Sequence, residues 1–182
     1  MGTVVELLRH AKAYARREWN GAGDRLRPLD ERGRSQSAAL VADLSELRPP
    51  VAAIHSSPLT RCVETVRPLS DALELPIVPD ERLAELRTLP VADNGSAWVA
   101  AAWLGGRAVG LIDELVARHD GQRVVACSHG DVLPALLALL AGRDGLDLDD
   151  VRVKKGGRIT LRFEAGRCVE ATPVPAAAKR AV

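Results

Sequence analysis

Residues 122–128 read Gln122-Arg123-Val124-Val125-Ala126-Cys127-Ser128, and His129-Gly130 follow at once. A short apolar run bounded by polar residues and closed by a glycine reads as a buried strand. Residues 131–141 then predict a helix, with Pro134 tolerable in its first turn. Working outward, the same alternation recurs. VVELL at 4–8 is a second buried strand, and residues 12–28, polar and rich in Arg and Gly, form a loop. Asp30 is a helix N-cap candidate, and Leu40, Val41, Leu44 and Leu47 recur at helical spacing before Pro49-Pro50 ends that helix. VAAIHS at 51–56 is a third strand. The next helix starts with Ser57 as N-cap and Pro58 at its first position, and runs to about residue 73 with Pro68 as a candidate kink.

Residues 76–78 form a short strand. Residues 80–110, punctuated by Pro90, Asn94, Gly95, Gly105 and Gly106, predict short helices and loops. Val109, Ile112, Leu115 and Val116 mark a further helix. Residues 158–163 and 168–173 flank Glu164-Ala165-Gly166-Arg167 as a C-terminal hairpin. The alternation predicts an α/β fold, a three-layer α/β/α sandwich with a mostly parallel sheet and a C-terminal antiparallel hairpin. One domain over residues 1–175 and a flexible tail over 176–182 complete the organisation.

The bulk numbers bound the function. The 182 residues are 47% apolar, 27% charged and only 3% aromatic, and the formal net charge is +1. No global field exists to attract nucleic acid or a membrane, and few aromatics are present for base stacking. Cys62, Cys127 and Cys168 are odd in number and lack metal or disulfide spacing, which fits a reducing cytoplasm. The basic residues Arg9, Lys12, Arg16 and Arg17 follow the first apolar run, against the order of a signal peptide.

In parallel sheets, ligands bind beyond the carboxyl ends of the strands. Arg9-His10 follows the first strand, Arg61 lies just past the next, and Ser128-His129-Gly130 ends the last. Two histidines and two arginines therefore converge on one crevice, with two helix N-termini aimed there as anion sites.

These segments carry a resemblance. Leu8-Arg9-His10-Ala11 resembles the Arg-His-Gly signature of the histidine phosphatase, or phosphoglycerate mutase-like, superfamily. Ser57-Pro58-Leu59-Thr60-Arg61-Cys62-Val63-Glu64-Thr65 is similar to its second signature, and Ser128-His129-Gly130 to its third. Arg27-Pro28-Leu29-Asp30, with Gly33 and Gln36, resembles the small branch that holds SixA-type phosphohistidine phosphatases and Nudix-linked phosphatase domains. The match runs in order from about residue 4 to residue 164.

The resemblance implies a role for each residue. His10 is the nucleophile and becomes phosphohistidine. Arg9, Arg61 and His129 hold the peripheral phosphate oxygens, and Gly130 lies beside them. Leu83-Ala84-Glu85 resembles the segment that supplies a proton to an ester leaving group, which makes Glu85 the candidate acid. An ordinary charged helix face through Glu81, Arg82, Glu85 and Arg87 is the competing reading. Ala11 replaces the signature glycine, a change associated with the SixA-like and Nudix-linked branches. Lys12 stands where mutases carry an acidic residue, and could reach a second phosphate or an acidic group. The family chemistry needs no metal and no cofactor.

The implied activity is a metal-independent phosphatase, acting on a phosphohistidine protein or a small phosphorylated metabolite or nucleotide. A phosphoglycerate-type mutase is one alternative, disfavoured because mutases carry longer insertions. A non-catalytic phosphate-binding or interaction module is the other. Arg16, Arg17, Arg25 and Arg27 read first as a solvated loop, with one or two available to the rest of a substrate. His55, His119, Lys154 and Lys155 read as structural, and Trp98 and Trp103 either cap the core or line the pocket.

Overall fold

A computed structural model describes residues 2–21, 23–85, 97–148 and 152–176. Six strands form one sheet: β1 (Thr3–Arg9), β2 (Val51–Ser56), β3 (Ile77–Pro79), β4 (Arg123–Ser128), β5 (Arg158–Glu164) and β6 (Arg167–Val174). Their spatial order is β3-β2-β4-β1-β5-β6. The pairs β3-β2, β2-β4 and β4-β1 are parallel, and β1-β5 and β5-β6 are antiparallel. The expected mostly parallel sheet with its C-terminal hairpin is the one found.

Side-chain alternation along the central strands builds two cores. Val5, Leu7, Val124 and Ala126 face α3 (Ala97–Arg118) and α4 (Val132–Asp144). Leu8, Ile54, Val125 and Cys127 face α1 (Glu31–Leu44) and α2 (Thr60–Leu73). Helices thus cover both faces, and the three layers follow. No helix among the described residues is long and apolar enough to cross a membrane.

Local chemistry explains most element ends. Asp30 caps α1 by accepting from the Gly33 N–H at 2.8 Å. The β5–β6 turn places Ala165 and Gly166 at φ 49° and 79°, the left-handed pair of a tight two-residue hairpin.

Two expectations are corrected. Residues 97–118 form one continuous helix where glycines suggested interruption. Gly105 is instead a packing residue: a Cβ there would lie 2.7 Å from the Ala135 carbonyl oxygen of α4. The close approach of the two helices offsets the glycine's helix cost of about 1 kcal/mol. Pro90, Asn94 and Gly95 lie outside the described residues, as do residues 177–182 of the expected tail. The second correction concerns α2, which begins at Thr60 with Leu59 as its N-cap. Ser57 does not cap it: its Oγ accepts from the Leu59 N–H at 3.4 Å, one residue short of the helix, and also contacts a second residue distant in sequence.

One buried polar cluster anchors the sheet centre. Glu6 is 1% exposed. Its Oε2 accepts from Arg158 Nε at 2.9 Å and from Thr160 Oγ1 at 2.8 Å, and its Oε1 accepts from Arg123 Nη1. Removing the carboxylate leaves two buried guanidinium groups short of their shared anion. Glu6→Ala is expected to lower unfolding stability by about 3–5 kcal/mol in urea titrations. A loss below about 1 kcal/mol would show that Asp43 and the backbone carbonyls around Arg123 suffice.

Candidate active site

The sheet order brings the ends of β1, β2 and β4 side by side. The His10 N–H donates to the Ser128 carbonyl at 2.9 Å, so the two strands still run together where His10 and His129 leave them. The imidazole centroids lie 5.2 Å apart, ring edge against ring face. Both histidines are buried, at 5% and 0% exposure.

The His10 Nδ1 lies 2.7 Å from the Ala11 carbonyl. A carbonyl only accepts, so Nδ1 carries the proton and Nε2 keeps its lone pair. Burial pulls the His10 pKa down to about 3, opposed by the Ala11 bond and helped by Arg61, Arg9 and Lys155. The imidazole is therefore neutral at physiological pH. Ala11 is fixed in turn, since its N–H donates to Thr65 Oγ1 at 2.9 Å and that hydroxyl donates to the Arg61 carbonyl at 2.6 Å. One threonine of α2 thereby couples the loop after His10 to the turn that carries Arg61.

Arg61 is fully buried in the first turn of α2. Its Nη1 donates to the Asp24 carbonyl at 2.9 Å, and its Nη2 donates to Glu85 Oε1. Arg9 donates from Nη1 to the Val153 carbonyl at 2.8 Å. Its guanidinium rests on the Cα of Gly130, where any Cβ would overlap it. The Nε atoms of Arg9 and Arg61 are both buried without a protein acceptor. A tetrahedral anion placed among them would accept from both.

His129 is held by Ser57 Oγ at 2.8 Å from its Nε2, and Cys62 Sγ lies 3.4 Å from the same nitrogen. Burial, then the charges of His10, Arg61 and Arg27, hold its pKa near 2, so it too is neutral. Its Nδ1 lies 3.5 Å from Glu85 Oε2. Glu85 thus touches Arg61 and His129 at once, and Arg16 Nη2 reaches its Oε1 at 3.1 Å. Burial raises its pKa above the usual carboxylate value. Arg61 and Arg16 oppose that rise, while Asp131 and Asp24 add to it. The charged-face reading of Glu85 is set aside by this placement, because the 3-10 turn Glu81–Leu83 ends before it and its side chain turns into the cluster.

The structure therefore gathers Arg9, His10, Arg61, Glu85, His129 and Gly130 in one cluster. Lys12 stands at its margin, with Nζ 2.8 Å from Asp30. The loop between β1 and α1 is mostly exposed, as the sequence suggests, with Arg27 the buried exception among its cations. Asp24 binds Arg27 at 2.7 Å and Arg16 at 3.3 Å, which makes it an organiser of the arginines. Asp24, Ser57 and Lys155 were not legible as site residues, since each acts through a contact made only in three dimensions. The α4 N-terminus, expected to face an anion, is occupied by its own cap, with Asp131 accepting from the Val132 N–H. Among the described residues no group of three or more His, Cys, Asp or Glu side chains is arranged to hold a metal ion.

The sequence model of the histidine phosphatase superfamily, branch 1, matches residues 5–95 and 99–172. The chain belongs to that superfamily. This superfamily member is 29% identical over 168 residues to an 8-oxo-(d)GTP phosphatase of Mycolicibacterium smegmatis. The match covers 92% of the chain but 47% of the relative, so the chain spans about half of that protein's length. It is 28% identical over 166 residues to phosphoserine phosphatase 1 of Hydrogenobacter thermophilus, covering 76% of each. Among solved structures, Bacillus stearothermophilus YhfR superposes with a TM-score of 0.71 at 22% identity, over 91% of this chain and 94% of that one.

Proposed function

We propose that this histidine phosphatase hydrolyses phosphate monoesters of small molecules through a phosphohistidine on His10. One observation carries the reading: a neutral His10 with a free Nε2, close to Arg9 and Arg61, whose buried Nε donors lack protein acceptors. The phosphate oxygens accept from Arg9, Arg61 and His129, which spreads and neutralises charge as the phosphoryl group moves. The Nε2 lone pair forms the N–P bond in line as the bond to the ester oxygen breaks. Glu85 gives its proton to that oxygen. The resulting carboxylate then takes a proton from water, the hydroxide attacks phosphorus, and the N–P bond breaks to release phosphate. Cationic groups of the protein itself neutralise the phosphate at every step, so the reaction proceeds without a metal.

Esters are favoured over phosphohistidine proteins because an acid stands in the site. Glu85 has its pKa raised and lies beside His129, and only a poor leaving group needs it. The test is phosphate release, with chelator present, from a panel holding an aryl phosphate, phosphoserine, sugar phosphates, nucleotides and a phosphohistidine protein. Chelator-resistant release from small esters supports the reading. Release confined to the phosphohistidine protein would replace the substrate class, and release abolished by chelator would overturn the mechanism.

A further inference from the structure

A groove of about 540 Å³ runs from Arg9 along the 152–159 segment to the end of β6. Its charged lining is basic throughout: Arg9, Lys12, Arg32, Lys154, Lys155 and Arg158, together with Arg152. Val153, Ile159 and Val174 supply an apolar floor. Lys12 is engaged by Asp30, and Arg158 by Glu6 and Asp43. No ion pair with a described residue engages Arg32, Lys154 or Lys155.

The groove is built onto the reacting centre. Gln36 bridges two loops of its wall, accepting from the Lys12 N–H at 3.0 Å and donating to the Lys155 carbonyl at 3.1 Å. The Gly156 N–H reaches the Arg9 and His10 carbonyls, both at 3.2 Å. Gly156 sits at φ +75°, and a Cβ there would lie 2.8 Å from the Gln36 side chain. Lys155 is thereby locked between the nucleophile's loop and the groove. Burial and the charges of Arg9, Arg27 and Lys12 push its ammonium below the usual lysine value, with Asp30 opposing. Cations crowded in this way favour a ligand with charge to spare.

We propose that the groove is a second anion site, which selects small organic phosphates bearing a further phosphoryl group beyond the one that reacts. The second phosphoryl lies against Lys155 and Lys12, with Lys154 and Arg32 closing over it, and the organic part rests on the apolar floor. The inference deepens the phosphatase reading by naming its substrate class, and it rests on His10 marking the reacting end.

Calorimetric binding of inorganic orthophosphate and of pyrophosphate to the full chain tests it, with phosphate release from pyrophosphate followed in parallel. Wild type is expected to prefer pyrophosphate by about tenfold or more, since a charged hydrogen bond gained in the groove is worth that much. The preference is expected to fall to within about threefold in Lys154→Ala/Lys155→Ala. Arg32→Ala, on a different element, is expected to reduce it as well, which guards against a misfolded double variant. Equal binding of the two anions by wild type, or a preference that survives all three substitutions, overturns the proposal. Displacement of pyrophosphate by a phosphate-free acidic peptide also overturns it, in favour of a protein partner. A preference that persists while no phosphoenzyme forms would fault the phosphatase reading and leave the second anion site standing.

Discussion

His10→Ala is expected to lower phosphate release by on the order of 10⁴-fold or more, because it removes the atom that bonds to phosphorus. Arg9, Arg61 and His129 remain in that variant, so an oxyanion such as vanadate should still bind. The split between lost turnover and kept binding separates a nucleophile from a residue that merely shapes the pocket. Rapid quenching of wild type with labelled substrate should trap a phosphoprotein stable in alkali and labile in acid, and the variant should trap none. His10 is buried, with a pKa near 3. Its own protonation therefore places no acid limb on kcat/KM above about pH 4. A limb near pH 6 would instead report the second ionisation of the substrate phosphate. An activity that survives His10→Ala, or a phosphoenzyme that forms on another residue, would sink the mechanism.

How much of this could be read beforehand depends on whether the cause is local. Strand β2 occupies the residues that its apolar run and flanking turn residues delimit. The Asp30 cap is likewise local, a carboxylate three residues before the N–H it accepts from. Arg9, His10, Arg61 and His129 were legible because sheet topology sends every parallel strand's carboxyl end to one edge. What escaped was set by neighbours distant in sequence. Gly105 looks like a helix breaker until α4 is packed against it, whereas Gly106 faces open space on the same helix. Ser57 precedes a proline as a cap should, yet its hydroxyl makes its shorter contact to His129, 72 residues away. Lys155 looks like a turn residue, and its position beside the nucleophile appears only through Gln36 and the Gly156 backbone bonds. Composition hides the same point on a larger scale. A net charge of +1 excludes a global field but not a local one, and the groove beside Arg9 collects cations from three separated segments.

Glu85→Gln is expected to reduce kcat/KM on an alkyl phosphate by about 10²–10⁴-fold and on a nitrophenyl phosphate by far less. The two esters differ in what their departing oxygen needs. An alkoxide leaves only with a proton, whereas nitrophenolate leaves without one. Glutamine keeps an acceptor for Arg61 Nη2 but has no acidic proton to give. In free enzyme the carboxylate is paired with Arg61 and Arg16. A phosphate dianion that takes up the Arg61 charge removes that stabilisation and sets a second anion beside Glu85. Both changes raise its pKa further, so substrate binding itself favours the protonated form that the first step requires. The sign of the pH dependence follows. An acid must be protonated to act, so wild-type kcat for the alkyl ester should decline as pH rises through the raised Glu85 value. That decline should be absent in Glu85→Gln. With nitrophenyl phosphate the variant should accumulate phosphoenzyme, because the same side chain is lost as the base that activates water in the second step. Equal losses on both esters, with no change in the alkaline limb, would instead make Glu85 a positioning residue that holds Arg61.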